Sequence, residues 1–360
     1  MGMTQTQAEA RVKIAVVGLG FGKHIVDRIV AGHYSQFLEL AGLCDLDQDK
    51  LRDAAQSLGV RAYASLAEIL SDPQVEVVGL FTGPEGRAGL IRQIIRSGKH
   101  VLTTKPFELD GDAALDVLRE ARALGRIVMM NSPSPLLPPD LSLARQWAAE
   151  FDLGRPVAAR FDVTAPYFEH ADGRWYDDPE KCPVAPIFRI GVYLINDAVR
   201  LFGEAAEVHV MASRIRTGRP TPDNAQLGIL FHSGAIANVF ASFCIDDGDT
   251  HRNQMTLNHE RGTIYRNTGP TIDGDSGRDT SMSLTQSGAK EARRKIAASA
   301  VLDQFHPQMD YQIEYLYRAV RGRAAEEPIA PETVVAGVRI IEAFKRAQAG
   351  DGVSKVQPAA

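Results

Sequence analysis

The stretch VKIAVVGLGFGKHIVDRIVAG, residues 12–32, restricts the possible fold more than any other part of the chain. It opens with a near-continuous apolar run, as a parallel strand covered on both faces requires, and changes to helical spacing after Gly22. Gly18, Gly20 and Gly22 crowd the turn between strand and helix. A glycine at 18 permits the tight bend, and one at 20 lets a pyrophosphate approach backbone amides at the positive end of the helix. In a G-x-G-x-x-G pattern the third glycine would fall at position 23, which is Lys23, so Gly22 lies one place early. By itself this loop is a weak signal, and its surroundings have to decide.

A second apolar strand, FLELAGLCDLD, ends at Asp45, and Gly18 to Asp45 spans 27 positions. That is near the separation expected for a carboxylate that accepts hydrogen bonds from ribose hydroxyls. An ionised acid there repels a 2′-phosphate, which favours NAD over NADP. The alternative is that Asp45 only begins a loop and caps the helix starting at Asp47 or Gln48. The alternation then continues: helix 48–58, strand RAYAS, helix 65–70, strand VEVVGLFTG, helix 85–97, strand HVLTT, helix 110–124 and strand RIVMMN. This predicts an α/β Rossmann domain with a doubly wound parallel sheet over 1–131. SPSPLLPP, with four prolines in eight residues, suits a domain boundary.

Residues 132–360 read as an α+β domain with an open, mostly antiparallel sheet. RPVAARFDVTA, EAAEVHVMASRIR, NAQLGILFHSGAIANVFASFCI and RNQMTLNHERGTIYRN have strand texture, the last two broken by hairpin turns at HSG and HERG. Helices are expected over IFRIGVYLINDAVRLFG, stopped by Gly203, and around 307–321 and 332–348. RNTGPTIDGDSGRDTSMS reads as a mobile loop.

With 360 residues, 44% of them apolar and 24% charged, the chain can bury two ordinary cores. A net charge of −5 supplies no positive excess for a nucleic-acid backbone. No run approaches the roughly 18 apolar residues of a spanning helix, and the polar start lacks the apolar core of a secretion signal. Three cysteines without a C-x-x-C pair argue against disulfides and zinc, and His24, His232, His259 and His306 lack metal-ligand spacing. No metal and a cytoplasmic location are expected.

Seven stretches in order, AVVGLGFG, CDLD, GLFTGPEGR, GKHVLTTKPFEL, WYDDPE, GVYLINDAVRLFG and GVRIIEAFKRAQAG, resemble the glucose-fructose oxidoreductase, inositol dehydrogenase and rhizopine-catabolism family, Gfo/Idh/MocA. The resemblance covers roughly 12–348. It implies hydride transfer between a nicotinamide and a hydroxyl or keto carbon of a sugar, polyol or sugar acid, with a homodimer or homotetramer as the working form. The family's Glu-Lys-Pro element falls on Thr104, Lys105 and Pro106, so the lysine is kept and the acid lost. The residue before a proline is extended, and in this family that peptide is often cis, which aims Lys105 at the reacting hydroxyl. The family's second catalytic position falls on Tyr193. Alcohol oxidation needs the hydroxyl proton removed as hydride leaves, so the resemblance implies Tyr193 as proton acceptor. Its phenol would be lowered by a neighbouring ammonium and an oxidised nicotinamide. The same resemblance places Gly18, Gly20, Phe21, Gly22, Asp45, Thr82 and Lys105 at the cofactor.

Two family positions carry the wrong charge for the family pattern. Arg189 stands where an aspartate is usual, four residues before Tyr193, and Arg87 where a histidine is usual. If Arg87, Lys105 and Arg189 all faced the ligand, a carboxylate or phosphate substrate would be favoured. Otherwise the arginines pair with Asp177, Asp178 or Glu85. Trp175 is either a wall of the substrate site or an anchor for its loop, and Asn196 completes the expected substrate-binding set. Family relatives also include NAD-binding regulators without chemistry and hydrolases or lyases that recycle NAD. Thr104 and Arg189 point toward the first of these alternatives, and retention of Lys105 and Tyr193 points to catalysis.

Overall fold

The protein is described by a computed structural model over residues 10–216, 218–248, 251–268, 280–287, 294–302 and 311–358. The first sheet holds β1 (Val12–Val17), β2 (Leu38–Cys44), β3 (Arg61–Ala62), β4 (Val77–Leu80), β5 (His100–Thr103) and β6 (Val128–Met130). The strands run parallel in the order β3-β2-β1-β4-β5-β6. They are joined by α1 (Gly22–Val30), α2 (Gln48–Leu58), α3 (Leu66–Ser71), α4 (Arg87–Arg96) and α5 (Gly111–Ala123). The strand order reverses between β1 and β4, which opens a crevice beyond the carboxyl ends of those strands.

The register fixes what lies at that crevice. Val17 pairs with both Cys44 and Leu80, Leu80 with Thr103, and Thr103 with Met130. Gly18, Asp45, Phe81, Thr104 and Asn131, each the residue that directly follows its strand, therefore emerge side by side at one sheet edge.

After α6 (Pro139–Glu150), β7 (Pro156–Thr164) begins the second sheet, and a π-helical turn, Ile187–Gly191, leads into α7 (Val192–Phe202). The sheet is completed by β8 (Ala205–Ser213), β9 (Asn224–Phe231), β10 (Ile236–Ser242), β11 (Arg252–His259), β12 (Gly262–Thr268), β13 (Thr280–Ser287) and β14 (Arg294–Leu302). Two helices, α8 (Ile313–Val320) and α9 (Pro331–Ala349), precede the edge strand β15 (Val353–Lys355). The order is β14-β13-β12-β11-β7-β10-β9-β8-β15, antiparallel except where β10 pairs with β7. The turns at HSG and HERG are hairpins between β9 and β10 and between β11 and β12. The sequence signal missed α6, β14 and β15. The segment expected to be a mobile loop has strand at both flanks, in β12 and β13, while residues 269–279 lie outside the described residues, as do 307–310 of the expected helix and His306.

The inner face of the second sheet packs Phe161, Val163, Leu227, Val239 and Ala241 against Ile187, Phe188, Leu194 and Phe344. The cores do not divide where the sheets do. Tyr311, Ile313 and Leu316 are buried with β1 and α1, and Val334, Val335 and Val338 with α4 and α5. The C-terminal helices thus return to the first sheet and hold the two halves in register. Among the described residues, no helix is long and apolar enough to cross a membrane.

Candidate active site

The glycine turn is shaped by contact with β4. Gly18 has φ +88°, and a Cβ there would lie 2.6 Å from the Phe81 carbonyl oxygen. A Cβ on Gly22 would come within 3.0 Å of Val16 Cγ1 and Phe81 Cδ2. Gly22 therefore does the close helix-to-strand packing usually given to the third glycine, one residue early. Asp45 backs the turn: its carboxylate accepts from the Leu19 amide and, at 3.0 Å, from the Asp47 amide, with Lys50 Nζ 3.9 Å away. The helix cap belongs to Asp47, which accepts from Lys50 N.

Among the five helices that join the strands of the first sheet, the N-termini differ in a way that fits an anion at only one. Asp47, Ser65 and Asp110 cap α2, α3 and α5. Glu108, itself buried, fills the start of α4, accepting from Gly86 N at 3.2 Å and Ala88 N at 2.8 Å. By contrast, α1 has no side-chain cap and no acid in its first turn. Its amides suit a pyrophosphate, and Asp45 suits a ribose.

A cavity of about 520 Å³ runs from Gly20 and Phe21 past Phe81, Thr82, Thr104 and Lys105 to Tyr167, Trp175 and Arg189. Lys105 precedes a cis peptide to Pro106. Its Nζ donates to the Arg189 carbonyl at 2.5 Å and lies 4.7 Å above the centre of the Tyr193 ring. Burial pushes the Lys105 ammonium down to about 7, and the charges of Arg189 and Arg87 add to the effect. One donor is spent on the carbonyl; an ammonium has two more.

Tyr193 is not among the residues lining that cavity. It is 8% exposed, and its hydroxyl accepts from Asn131 Nδ2 at 2.8 Å. Burial raises its phenol, so the expected lowering by Lys105 is not found; the ammonium meets the ring face, not the oxygen.

Arg87 and Arg189 are both committed to the protein. Arg87, 1% exposed, donates to the carbonyls of Thr104 (2.6 Å), Phe107 (3.1 Å), Pro106 and Thr82. It borders the cavity, but its fork is spent on tying the ends of β4 and β5 together. Arg189 pairs bidentately with Glu169, and its guanidinium lies 4.8, 4.5 and 5.1 Å from the ring centres of Tyr167, Tyr176 and Phe243. None of Asp177, Asp178 and Glu85 pairs with either arginine: Asp177 takes Arg219, and Glu85 takes Lys181. The π-helical turn explains how Arg189 can serve twice, since such turns displace backbone carbonyls from the regular ladder and here one of them meets Lys105.

Of the remaining expected residues, Phe21 and Thr82 line the cavity, and Trp175 does so against Gly83. Asn196 does not. Its amide donates to Ser132 Oγ at 2.9 Å and its oxygen fills the space above Gly337, linking the two halves. No local motif pointed to Asn131, Tyr167, Glu169, Tyr176 or His251. Tyr167 lines the cavity with its hydroxyl 2.6 Å from His251 Nε2.

An uncapped helix behind a glycine turn and an acid at the next strand end are the parts of a dinucleotide-binding Rossmann domain, and Lys105 reaches the same cavity. The profile described as oxidoreductase family, NAD-binding Rossmann fold, matches residues 12–132, and that of the GFO/IDH/MocA C-terminal domain matches 141–265. The chain belongs to the Gfo/Idh/MocA family. It is 23% identical over 221 residues to inositol 2-dehydrogenase/D-chiro-inositol 3-dehydrogenase of Lactiplantibacillus plantarum, covering 58% of this chain and 61% of that protein. With D-apiose dehydrogenase of Paraburkholderia graminis it shares 23% over 239 residues, 66% of this chain and 62% of the other. The matches thus span about three fifths of these relatives' length. Levoglucosan dehydrogenase, solved with NADH and L-sorbose, superimposes with a TM-score of 0.75 at 15% identity, over 98% of this chain and 100% of that one.

Proposed function

We propose that the protein is a dehydrogenase that oxidises a secondary hydroxyl of a sugar, polyol or sugar acid, or runs the reverse reduction, with NAD preferred over NADP. The observation that carries this is the single cavity in which Lys105 Nζ and the α1 turn meet. Bound there, the nicotinamide would accept or return the hydride. The chain's own part is to hold the alcohol. Aromatic surfaces of Phe21, Trp175 and Tyr167 suit the apolar faces of a sugar ring. Lys105, in its ammonium form, donates to the reacting oxygen and stabilises the negative charge that grows as the hydroxyl proton leaves. A developing alkoxide beside Lys105 restores the protonated form that burial disfavours.

The Nη groups of Arg87 and the fork of Arg189 are already engaged by the protein, so of these three Lys105 is the positive charge left to a ligand, and neutral sugars fit the site as well as acids. The Asp45 carboxylate supports NAD, because a 2′-phosphate would meet like charge. Association into a dimer or tetramer is supported by the bare face of the second sheet, where Met211 is 68% and Ile236 52% exposed.

Initial rates with NAD and with NADP over a panel of aldoses, polyols and aldonic acids test this function, in wild type and Lys105→Ala. Turnover of free NAD by wild type and its loss in the variant are expected. A wild type that binds NADH but reduces no NAD with any compound would instead favour a sensor or a recycling enzyme.

A further inference from the structure

We infer that Tyr167 and His251 form the proton-transfer path of this site, with Tyr167 touching the substrate hydroxyl and His251 acting through it. This rests on the dehydrogenase function proposed above. Chemistry there needs a group that takes the hydroxyl proton within hydrogen-bond reach of the oxygen that Lys105 holds. Tyr193 is poorly placed for it, since its hydroxyl is engaged by Asn131 and it is absent from the cavity lining. Tyr167 lines the same cavity as Lys105. Its hydroxyl lies 2.6 Å from His251 Nε2, with the imidazole edge-on to the phenol ring at 5.5 Å between centres.

The fold holds this pair firmly. Tyr167 follows β7 and its amide donates to the Ala165 carbonyl; His251 immediately precedes β11, the neighbour of β7. The phenol ring packs on Phe243 at 4.8 Å and under the Arg189 guanidinium. Burial lowers the His251 pKa, and the charges of Lys105 and Arg189 that face it lower it further, which favours the neutral imidazole. A neutral imidazole protonated at Nδ1 offers Nε2 as an acceptor, and a phenol oxygen can donate one hydrogen bond while accepting another.

The step balances without a phenolate. The substrate O–H bond breaks as its proton forms a bond to Tyr167 Oη, and the proton already on Oη passes to His251 Nε2. A bound oxidised nicotinamide would take the carbon-bound hydrogen with its electron pair, leaving the alcohol as a carbonyl, and His251 later releases its proton to solvent. Because Tyr167 relays the proton, the upward displacement of its phenol by burial is no obstacle.

Two measurements test this. In ¹⁵N-histidine-labelled protein, His251 Nε2 should be the unprotonated acceptor, and its resonance should shift in Tyr167→Phe; a protonated Nε2 overturns the path whether or not a substrate is known. With the best substrate of the panel, Tyr167→Phe should lower kcat by about 10²–10⁴-fold while KM moves less than about threefold. Added imidazole should restore part of the activity of His251→Ala, a rescue that a merely structural histidine would not show. Tyr167→Phe within about threefold of wild type, or a larger loss in Tyr193→Phe than in Tyr167→Phe, overturns the assignment and leaves the dehydrogenase function standing. Failure of wild type on every compound removes the dehydrogenase function, and the path's catalytic role with it.

Discussion

Replacing Arg87 with methionine separates a structural arginine from a substrate receptor. The guanidinium serves four backbone carbonyls from two strand ends, all buried or nearly so. At about 1.5 kcal/mol for each charge-assisted hydrogen bond, the four together contribute about 6 kcal/mol. Against this stands the cost of keeping the charge out of water, which pushes the Arg87 pKa well below the ordinary guanidinium value, to about 10. That difference is worth about 3 kcal/mol and is recovered when the charge is removed. The remaining loss of about 3 kcal/mol is increased by Glu108, whose carboxylate keeps its amide donors but loses the nearby positive charge. Arg87→Met should therefore lower stability by about 3–5 kcal/mol in urea unfolding followed by circular dichroism. Arg87→Lys should fall short of wild type as well, because a compact ammonium cannot reproduce a planar fork aimed at separate carbonyls. The carbonyls of Thr104 and Pro106 flank Lys105, so both variants should also lose turnover with neutral and acidic substrates alike. Arg87→Met within about 1 kcal/mol of wild type, with a rise in KM confined to sugar acids, would refute the reasoning and return Arg87 to the ligand.

Three further outcomes are expected. Lys105 takes up its proton near pH 7 when folded and near 10.5 when unfolded, so between those values the unfolded chain binds more protons and stability rises with pH. The slope reaches about 1.4 kcal/mol per pH unit, and Lys105→Met should remove it in urea unfolding measured from pH 7 to 10. Asp45→Ala should weaken NADH binding by about 10–100-fold, the loss of one or two hydrogen bonds to a charged group, while NADPH loses less; fluorescence titration reads the ratio. Arg266 is buried against Asp140, Asp197 and Asn253, and Arg266→Met should cost about 3–5 kcal/mol by stranding two carboxylates. Adding Asp140→Leu should restore part of that loss in the same unfolding assay.

What the sequence disclosed of this site follows from how far apart the interacting residues lie along the chain. The glycine turn, Asp45 and the Lys105-Pro106 step each sit at the end of a strand whose own apolar run marks it. Parallel register then brings the three ends together without any further information. Local chemistry was enough there, and Gly22 shows its tolerance: a glycine displaced by one residue still does the packing. The charged residues behave differently. Arg87 and Arg189 looked like ligand receptors because a sequence shows a side chain's charge and hides its partners. The partners of Arg87 are backbone carbonyls 17 to 20 residues away for three bonds, and Glu169 lies 20 residues from Arg189.

The helix IFRIGVYLINDAVRLFG was legible as a helix, but its first turn is wound wider, and no apolar period distinguishes a π-helical turn from an α-helical one over five residues. That local widening determines which carbonyl receives Lys105. Tyr167 and His251 are separated by 84 positions and flank two neighbouring strands of the second sheet. Neither carries a local motif, so only the pairing of β7 with β11 makes them a unit. The cofactor half of the site is thus written in contiguous sequence, because a dinucleotide is held largely by backbone, which needs glycines at fixed places. The half that handles the substrate proton is held by side chains from separate strands, and there the topology must be known before the chemistry can be read.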